Sequence, residues 1–462
     1  MSNVGLLVPD ILGEIMSRLP SGINQKFAFA QVSRYWRDVA LNNHLFWSSF
    51  ATVSEAELYR IPIILERSGS AMLHASFYFA PCYPPDWHAE ALAALVPHLA
   101  RIETLDVSAG YSLPPSVVEV LLNSNLEFPA LQTLRLAGPE FGRFPPVQLT
   151  APQLRTLDIQ HFDSENWASL FSSSLENITL YNSRAMGLRP LLEIFDRCPR
   201  AWRVVYDSGY ADVSSYKDEF FEAFTRRQTL APALRELELR TDSTDLCRIL
   251  KAGFPDIVLP TLTACVWDST MSVIAEALLP GVGPLVVFEL DRRMYQVELH
   301  DDNGLTRRLQ SWNDDAALEV DCTWEYLSVH YNLHKTVREL RIGHWDQYVE
   351  IFERYPPQLP DGITLVYISD GDEERESELT KKMHIPGLAR LEFFGEPPMT
   401  LKSVLRILSL VEPPATRKLE VCIHDMKLRT TEKGVDAFDV FQRAFPGDCW
   451  AICNQCISHW DH

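Results

Sequence analysis

A six-residue block, apolar-x-x-apolar-x-apolar, recurs along this chain and restricts its fold more than any other feature. It reads Ile102-Glu103-Thr104-Leu105-Asp106-Val107, then Leu131–Leu136, Leu154–Ile159 and Leu175–Leu180. It returns at Leu234–Leu239, Leu262–Trp267, Val337–Ile342, Leu388–Phe393 and Thr416–Val421, with weaker copies at Trp202–Tyr206, Leu285–Leu290, Trp324–Val329 and Ile363–Ile368. The last four positions of each block alternate, which is the period of a half-buried strand. The first four copies begin at 102, 131, 154 and 175, so they are spaced by 29, 23 and 21 residues. A unit of that size cannot bury its apolar side alone, and neighbouring units must stack.

Segments between the blocks carry helical spacing: Val117–Leu122, Leu188–Phe195, Met271–Leu279 and Val404–Leu410. Strand followed by helix, repeated, predicts an α/β fold: a right-handed solenoid with a curved parallel sheet along one side. The in-between residues of each strand then point outward. They include Thr104, Asp106, Arg135, Asp158, Glu238 and Arg341. Tyr181 and Trp267 add aromatic bulk near that face or its edge. Arg135, Asp158, Tyr181, Glu238, Trp267 and Arg341 are the candidate target-binding residues. Asn303-Gly304 is a tight-turn signal between His300 and Leu305.

The first fifty residues read differently. Val8, Ile11, Leu12, Ile15, Met16 and Leu19 follow steps of 3, 1, 3, 1 and 3, one face of a helix. Pro9 suits the first turn, where its missing amide has no partner to lose. Asp10 and Glu14 lie near the positive end of the helix dipole. Pro20-Ser21-Gly22 stops the helix. The spacing of Ala28, Val32, Tyr35, Trp36 and Val39 predicts a second helix over 25–41, ended by Asn42-Asn43. A short third element carries Leu45, Phe46, Trp47 and Phe50. Three short helices make a marginal core, so such a unit usually needs a partner surface.

These segments resemble the F-box motif. The matching positions are Val8-Pro9, Ile11-Leu12, Ile15, Leu19, Val32, Trp36 and Phe46-Trp47, within residues 6–50. Val8 stands where that family usually has Leu, Ser33 where Cys is frequent, and Phe46 where Leu closes the motif. Ser21–Lys26 lacks the family's acidic start to the second helix. The repeated blocks are similar to degenerate leucine-rich repeats, without the Asn or Cys that follows the strand in that family. The resemblance implies an F-box-like module at 1–50, a linker and capping region at 51–100, a solenoid at 101–430 and a C-terminal capping tail at 431–462. It implies that Pro9, Ile11, Leu12, Ile15 and Leu19 lie at or near the surface for a Skp-type adaptor, with Trp36 and Trp47 partly at its edge. Val32 and Trp36 would hold the module together. The implied role is a non-catalytic substrate receptor of a cullin–RING ubiquitin ligase, with an unknown protein target on the repeat array. The alternative is an interaction scaffold whose F-box-like cap binds no ligase.

Composition narrows the partners. Lys plus Arg number 42 against 62 Asp plus Glu, a net charge of −20, which repels nucleic acid and anionic membrane. No apolar stretch approaches the roughly 18 residues of a membrane span. Met1-Ser2-Asn3-Val4 has neither the basic nor the apolar region of a signal peptide. Nine scattered Cys fit a reducing cytoplasm or nucleus better than a disulfide framework. No phosphate loop, His-Glu-x-x-His or Gly-x-Ser-x-Gly occurs, so no enzyme is expected. Cys449, Cys453, Cys456, His459 and His462 are zinc-type ligands at short spacing. They lack the usual second ligand pair across a loop, and Trp450 and Trp460 point to a packed terminal element. No metal or cofactor is expected.

Overall fold

The computed structural model describes residues 9–19, 21–52, 55–79, 93–109, 126–138, 149–160, 170–181, 189–207, 232–241, 250, 259–266, 275, 278–279, 281–291, 296–311, 327–343, 359, 361–369, 382–385, 387–395, 401–412, 418–423, 443–444 and 450–452. The chain is mixed α/β with large, mostly parallel sheet, divided into one unit over Met1–Arg240 and a second over Thr241–His462.

The first unit opens with four short helices: α1 (Pro9–Ser17), α2 (Ile23–Gln31), α3 (Arg34–Leu41) and α4 (His44–Ser48). The single helix expected over 25–41 is broken at Val32-Ser33. Ser33 is extended, and its Oγ accepts from the Trp36 backbone amide at 3.1 Å, capping α3. Asn43 repeats the device, its side chain accepting from the Phe46 amide at 3.2 Å to start α4. The Ser33 acceptor therefore overrides the apolar period, while Asn43 caps the next helix where the Asn42-Asn43 break was expected. Strand β1 (Ser49–Thr52), helices α5 (Glu55–Leu58) and α6 (Ile61–Arg67), and β2 (Leu73–Phe79) follow. Within the stretch expected to link and cap, Ile61, Ile64 and Leu65 of α6 are buried.

The repeat blocks become β3 (Ile102–Ala109), β5 (Thr133–Ala137), β7 (Thr156–Gln160), β8 (Asn177–Tyr181), β9 (Arg203–Asp207) and β10 (Glu236–Thr241). Two-residue strands β4 (Leu126–Glu127) and β6 (Leu149–Thr150) pair with each other beside them. From β1 and β2 through β3, β5, β7, β8, β9 and β10, each strand pairs in parallel with the next one in chain order. Beyond one irregularity at Leu73/His74 the register is constant, so equivalent block positions line up. One buried ladder runs Ala75, Leu105, Leu134, Leu157, Ile178, Val204, Leu237. A second runs Phe77, Val107, Leu136, Ile159, Leu180, Tyr206, Leu239. Each fully buried aliphatic side chain contributes about 1.5–3 kcal/mol, so these ladders carry much of the unit's cohesion.

The first apolar residue of a block lies outside its strand and closes a turn. Leu131, Leu154 and Leu175 donate their amides to the carbonyls of Phe128, Ala151 and Ser172 at 3.1–3.2 Å. The next residue bonds to the preceding block: Gln132 to Glu103, Arg155 to Gln132, Glu176 to Arg155, Trp202 to Glu176 and Arg235 to Trp202. Helix Arg189–Arg197 buries Leu191, Ile194 and Phe195 between β8 and β9, where helical spacing placed it.

In the second unit the strands are β11 (Thr261–Val266), β12 (Leu285–Asp291), β13 (Gln296–Asp301), β14 (Thr306–Ser311), β15 (Glu339–Ile342), β16 (Ile363–Ser369), β17 (Met383–His384), β18 (Leu388–Gly395), β19 (Val411–Glu412), β20 (Leu419–Ile423) and β21 (Trp450–Ile452). The expectation of a wholly parallel sheet fails here. β12 and β13 are antiparallel, as are β13 and β14, and β14 then pairs in parallel with β11. β12, β15, β16, β18, β20 and β21 continue in parallel, and β17 pairs with β19. Asp301 locks the β13–β14 turn. It accepts from the amides of Asn303 (2.9 Å), Leu305 (2.8 Å) and Gly283 (2.9 Å), and Gly304 supplies a φ of +81°. Residues 327–331 are helical, which corrects the strand read over Trp324–Val329. Helix Leu401–Leu410 matches the spacing of Val404–Leu410.

The expected helix at 117–122, Trp267 and the C-terminal Cys/His cluster lie outside the described residues, as does nearly all of 431–462. Among the described residues no helix is long and apolar enough to cross a membrane.

Candidate interaction surfaces

Helix α1 packs against α3 and α4, and α4 against α6. Its inward stripe is Leu12 and Met16, both buried; Ile15 and Leu19 are half-buried, and Ile11 is 48% exposed. The Pro9 side chain lies outside the described residues. The core beneath is aromatic. Phe29 packs on Trp36 (4.5 Å between ring centroids) and Phe46 (5.5 Å), while Trp47 meets Phe46 (5.0 Å) and Phe27 (5.5 Å) edge-on. Trp47 is fully buried, and its Nε1 donates to the Ala40 carbonyl at 2.7 Å. The Arg67 guanidinium lies 4.5 Å over its ring, and burial lowers the Arg67 pKa. Lys26 is buried too, its Nζ donating to the Phe46 carbonyl and lying 4.4 Å over the Phe46 ring. Burial pulls its pKa down to about 8.

This geometry revises the residue roles. Leu12 and Trp47 present no surface, because the module's own core consumes them. Val32 is 57% exposed and does not hold the helices together. Trp36 is half-buried against Phe29. Leu45 at 74% and Leu41 at 39% are exposed apolar residues that were not among the expected adaptor contacts. Both sit at helix ends beside an Asn break, and that position was the available signal.

On the open side of the first unit's sheet, register aligns the in-between residues into rows. One row reads His74, Thr104, Thr133, Thr156, Asn177, Arg203, Glu236. The next reads Ser76, Asp106, Arg135, Asp158, Thr179, Val205, Glu238. The third carries Tyr78, Ser108, Ala137, Gln160 and Tyr181. Arg135 thus stands between Asp106 and Asp158. Burial raises the Asp106 pKa, Arg135 opposes that rise and Asp158 adds to it. Glu238 pairs with Arg240 at 2.5 Å, and that guanidinium lies 4.7 Å over the Tyr181 ring. Arg203 pairs with Glu236 at 3.0 Å. Arg135, Asp158, Tyr181 and Glu238 therefore share one face.

In the second unit, Arg341 stands opposite Glu289 and bonds Glu339 at 2.5 Å and Glu289 at 3.4 Å. Glu289 faces Glu298 across β12–β13, and Glu298 faces Arg308 across β13–β14. Arg308 donates to both Glu298 carboxylate oxygens, at 2.6 and 3.2 Å, and the His300 Nε2 lies 3.1 Å from Glu298. Burial pushes the Glu298 pKa up, but His300 and Arg308 outweigh it and hold the carboxyl at about 2. Burial and then Glu298 raise that of Glu289. Ligand atoms of Glu289, Glu298 and His300 lie within 4.8 Å of one another, a metal-capable set that sequence reading missed because it spans two strands. Its two carboxylates are already matched by the guanidinium groups of Arg308 and Arg341.

No family model matches this chain, and no curated protein matches it.

Proposed function

We propose that this chain is the substrate-recognition subunit of a Skp–cullin–F-box-type ubiquitin ligase, with an F-box module at its N-terminus and a leucine-rich-repeat-like solenoid behind it. The observation that carries the reading is the set of exposed apolar side chains on the first four helices: Ile11, Val32, Leu41 and Leu45, beside a fully formed aromatic core. Apolar anchors of this kind dominate affinity when one protein's helices dock on another. The match of Val8 through Trp47 to the F-box motif supplies the identity of the partner, a Skp-type adaptor. The aligned polar rows of the parallel strands support a target-presenting face. In this reading the chain performs no chemistry; it holds a target near the ligase, in the cytoplasm or nucleus.

The test is adaptor capture by the full chain and by an Ile11→Asp/Leu45→Asp variant. Both side chains are exposed, so the melting temperature is expected to hold while capture falls at least about tenfold. Leu12 is unsuitable, since a charge there would break the core. Equal adaptor recovery by wild type and variant refutes the ligase reading.

A further inference from the structure

The two ends of the first unit's open sheet face differ electrostatically. Toward β10 the charges are matched in close pairs, Arg203 with Glu236 and Arg240 with Glu238. Toward β3 the middle row is not so matched, although beside it His74 lies 3.9 Å from Glu103. Asp106, Arg135 and Asp158 stand on three adjacent strands, and among the described residues no ion pair joins any of them. Asp158 accepts one hydrogen bond, from Gln160 Nε2 at 3.2 Å. One cation between two carboxylates leaves an excess negative charge on this part of the face. The carboxylates lie two strands apart, roughly 10 Å at the usual strand spacing. Around them stand hydroxyls of Thr104, Thr133 and Thr156, and Tyr78, 45% exposed, offers a ring face at the edge. The −20 net charge steers cationic partners toward the molecule as a whole.

We propose that this face binds a peptide segment bearing lysine or arginine side chains, which seat on Asp106 and Asp158 and complete the pairing that Arg135 leaves unfinished. The proposal rests on the reading that the strand array presents a target, and it names that target's chemistry. Arg135 is a competitor in this arrangement: it occupies the ground between the two carboxylates and disfavours a second cation.

The experiment uses the full chain and a fluorescent decapeptide of alternating Gly and Lys, with its Gly–Glu counterpart, in anisotropy titrations at about 50 mM salt. The Lys peptide is expected to bind and the Glu peptide not. Asp106→Asn/Asp158→Asn is expected to weaken binding about five- to tenfold. Glu127→Gln/Asp361→Asn removes the same net charge at exposed positions elsewhere and is expected to change it less than about twofold. Arg135→Gln is expected to strengthen binding about threefold, a sign that a merely structural arginine would not give. Equal losses in the two charge-matched variants, binding of the Glu peptide, absence of Lys-peptide binding, or weakening by Arg135→Gln each overturns the proposal. Ile11→Asp/Leu45→Asp is expected to leave peptide binding unchanged, so failure here and failure of adaptor capture are read separately.

Discussion

Replacing Lys26 by Met should stabilise the N-terminal helices at neutral pH and lose that advantage in base. The Lys26 side chain is 3% exposed, and among the described residues its ammonium is held by the Phe46 carbonyl and ring. Its pKa falls from 10.5 in the unfolded chain to about 8 in the fold. Below pH 8 both states are protonated, and the full cost of burying the charge, about 3 kcal/mol, opposes folding. Between pH 8 and 10.5 the unfolded chain binds the proton more, so stability rises with pH and the penalty fades. Met keeps the volume and the apolar stem, but it leaves the Phe46 carbonyl without the ammonium, a loss of about 1–2 kcal/mol. The net expectation is a gain of about 1–2 kcal/mol at pH 7 that vanishes near pH 10. Urea titrations followed by the fluorine resonance of fluorotryptophan at Trp47 report this region directly, because Trp47 packs on Phe46. A difference between variant and wild type that stays flat from pH 7 to 10, or a variant that is weaker at pH 7, refutes the burial argument.

Glu298→Gln should weaken the second unit with the opposite pH signature. The folded carboxyl titrates near 2 against 4.5 unfolded, so its contribution is complete above pH 4.5 and lost as pH falls toward 2. Relief of the Glu289 contact offsets part of it, leaving an expected loss of about 2 kcal/mol at pH 7 in urea titrations, closing in acid. Arg101→Leu should cost about 2–3 kcal/mol in thermal melting. Its guanidinium donates to the carbonyls of Leu65 (2.9 Å) and Ala71 (3.0 Å) and to Ser68 Oγ (2.8 Å), tying the end of α6 to the strand entering at Ile102. Arg101→Lys is expected to recover less than half, because a single ammonium cannot span that fork.

The parallel strands were legible because one physical demand repeats. Every block must put one apolar side chain on each of the two buried ladders, and the shared register makes that demand periodic. The Asn303-Gly304 turn was legible, but the antiparallel pairing of the strands it joins was not, because their residues answer a different demand. Glu298, Arg307 and Arg308 fill positions that a repeat block would make apolar or leave open. Arg307 is buried by donating to the Leu259 and Thr306 carbonyls at 2.8 and 2.9 Å, a contact 48 residues long in sequence for the first of them. Strand β1 was hidden for a simpler reason: its four residues follow directly on the helix that carries Phe46 and Trp47.

The N-terminal helices show why an apolar stripe alone does not identify a docking surface. Periodicity marks Ile11, Leu12, Ile15, Met16 and Leu19 as one face of α1, but a helix this short needs only part of that face to close its own core. Leu12 and Met16 do so, and Trp47, with its indole nitrogen on the Ala40 carbonyl, fills the space that a partner would otherwise reach. The stripe is wider than the core requires, and Ile11 is the surplus. Val32 and Leu45 add to it from junctions where Ser33 and Asn43 interrupt the helices. Partly covered already, each such side chain forgoes about 1–2 kcal/mol of the burial still open to it. Under the proposed adaptor reading, a partner that covers the three would recover that free energy without disturbing the aromatic core.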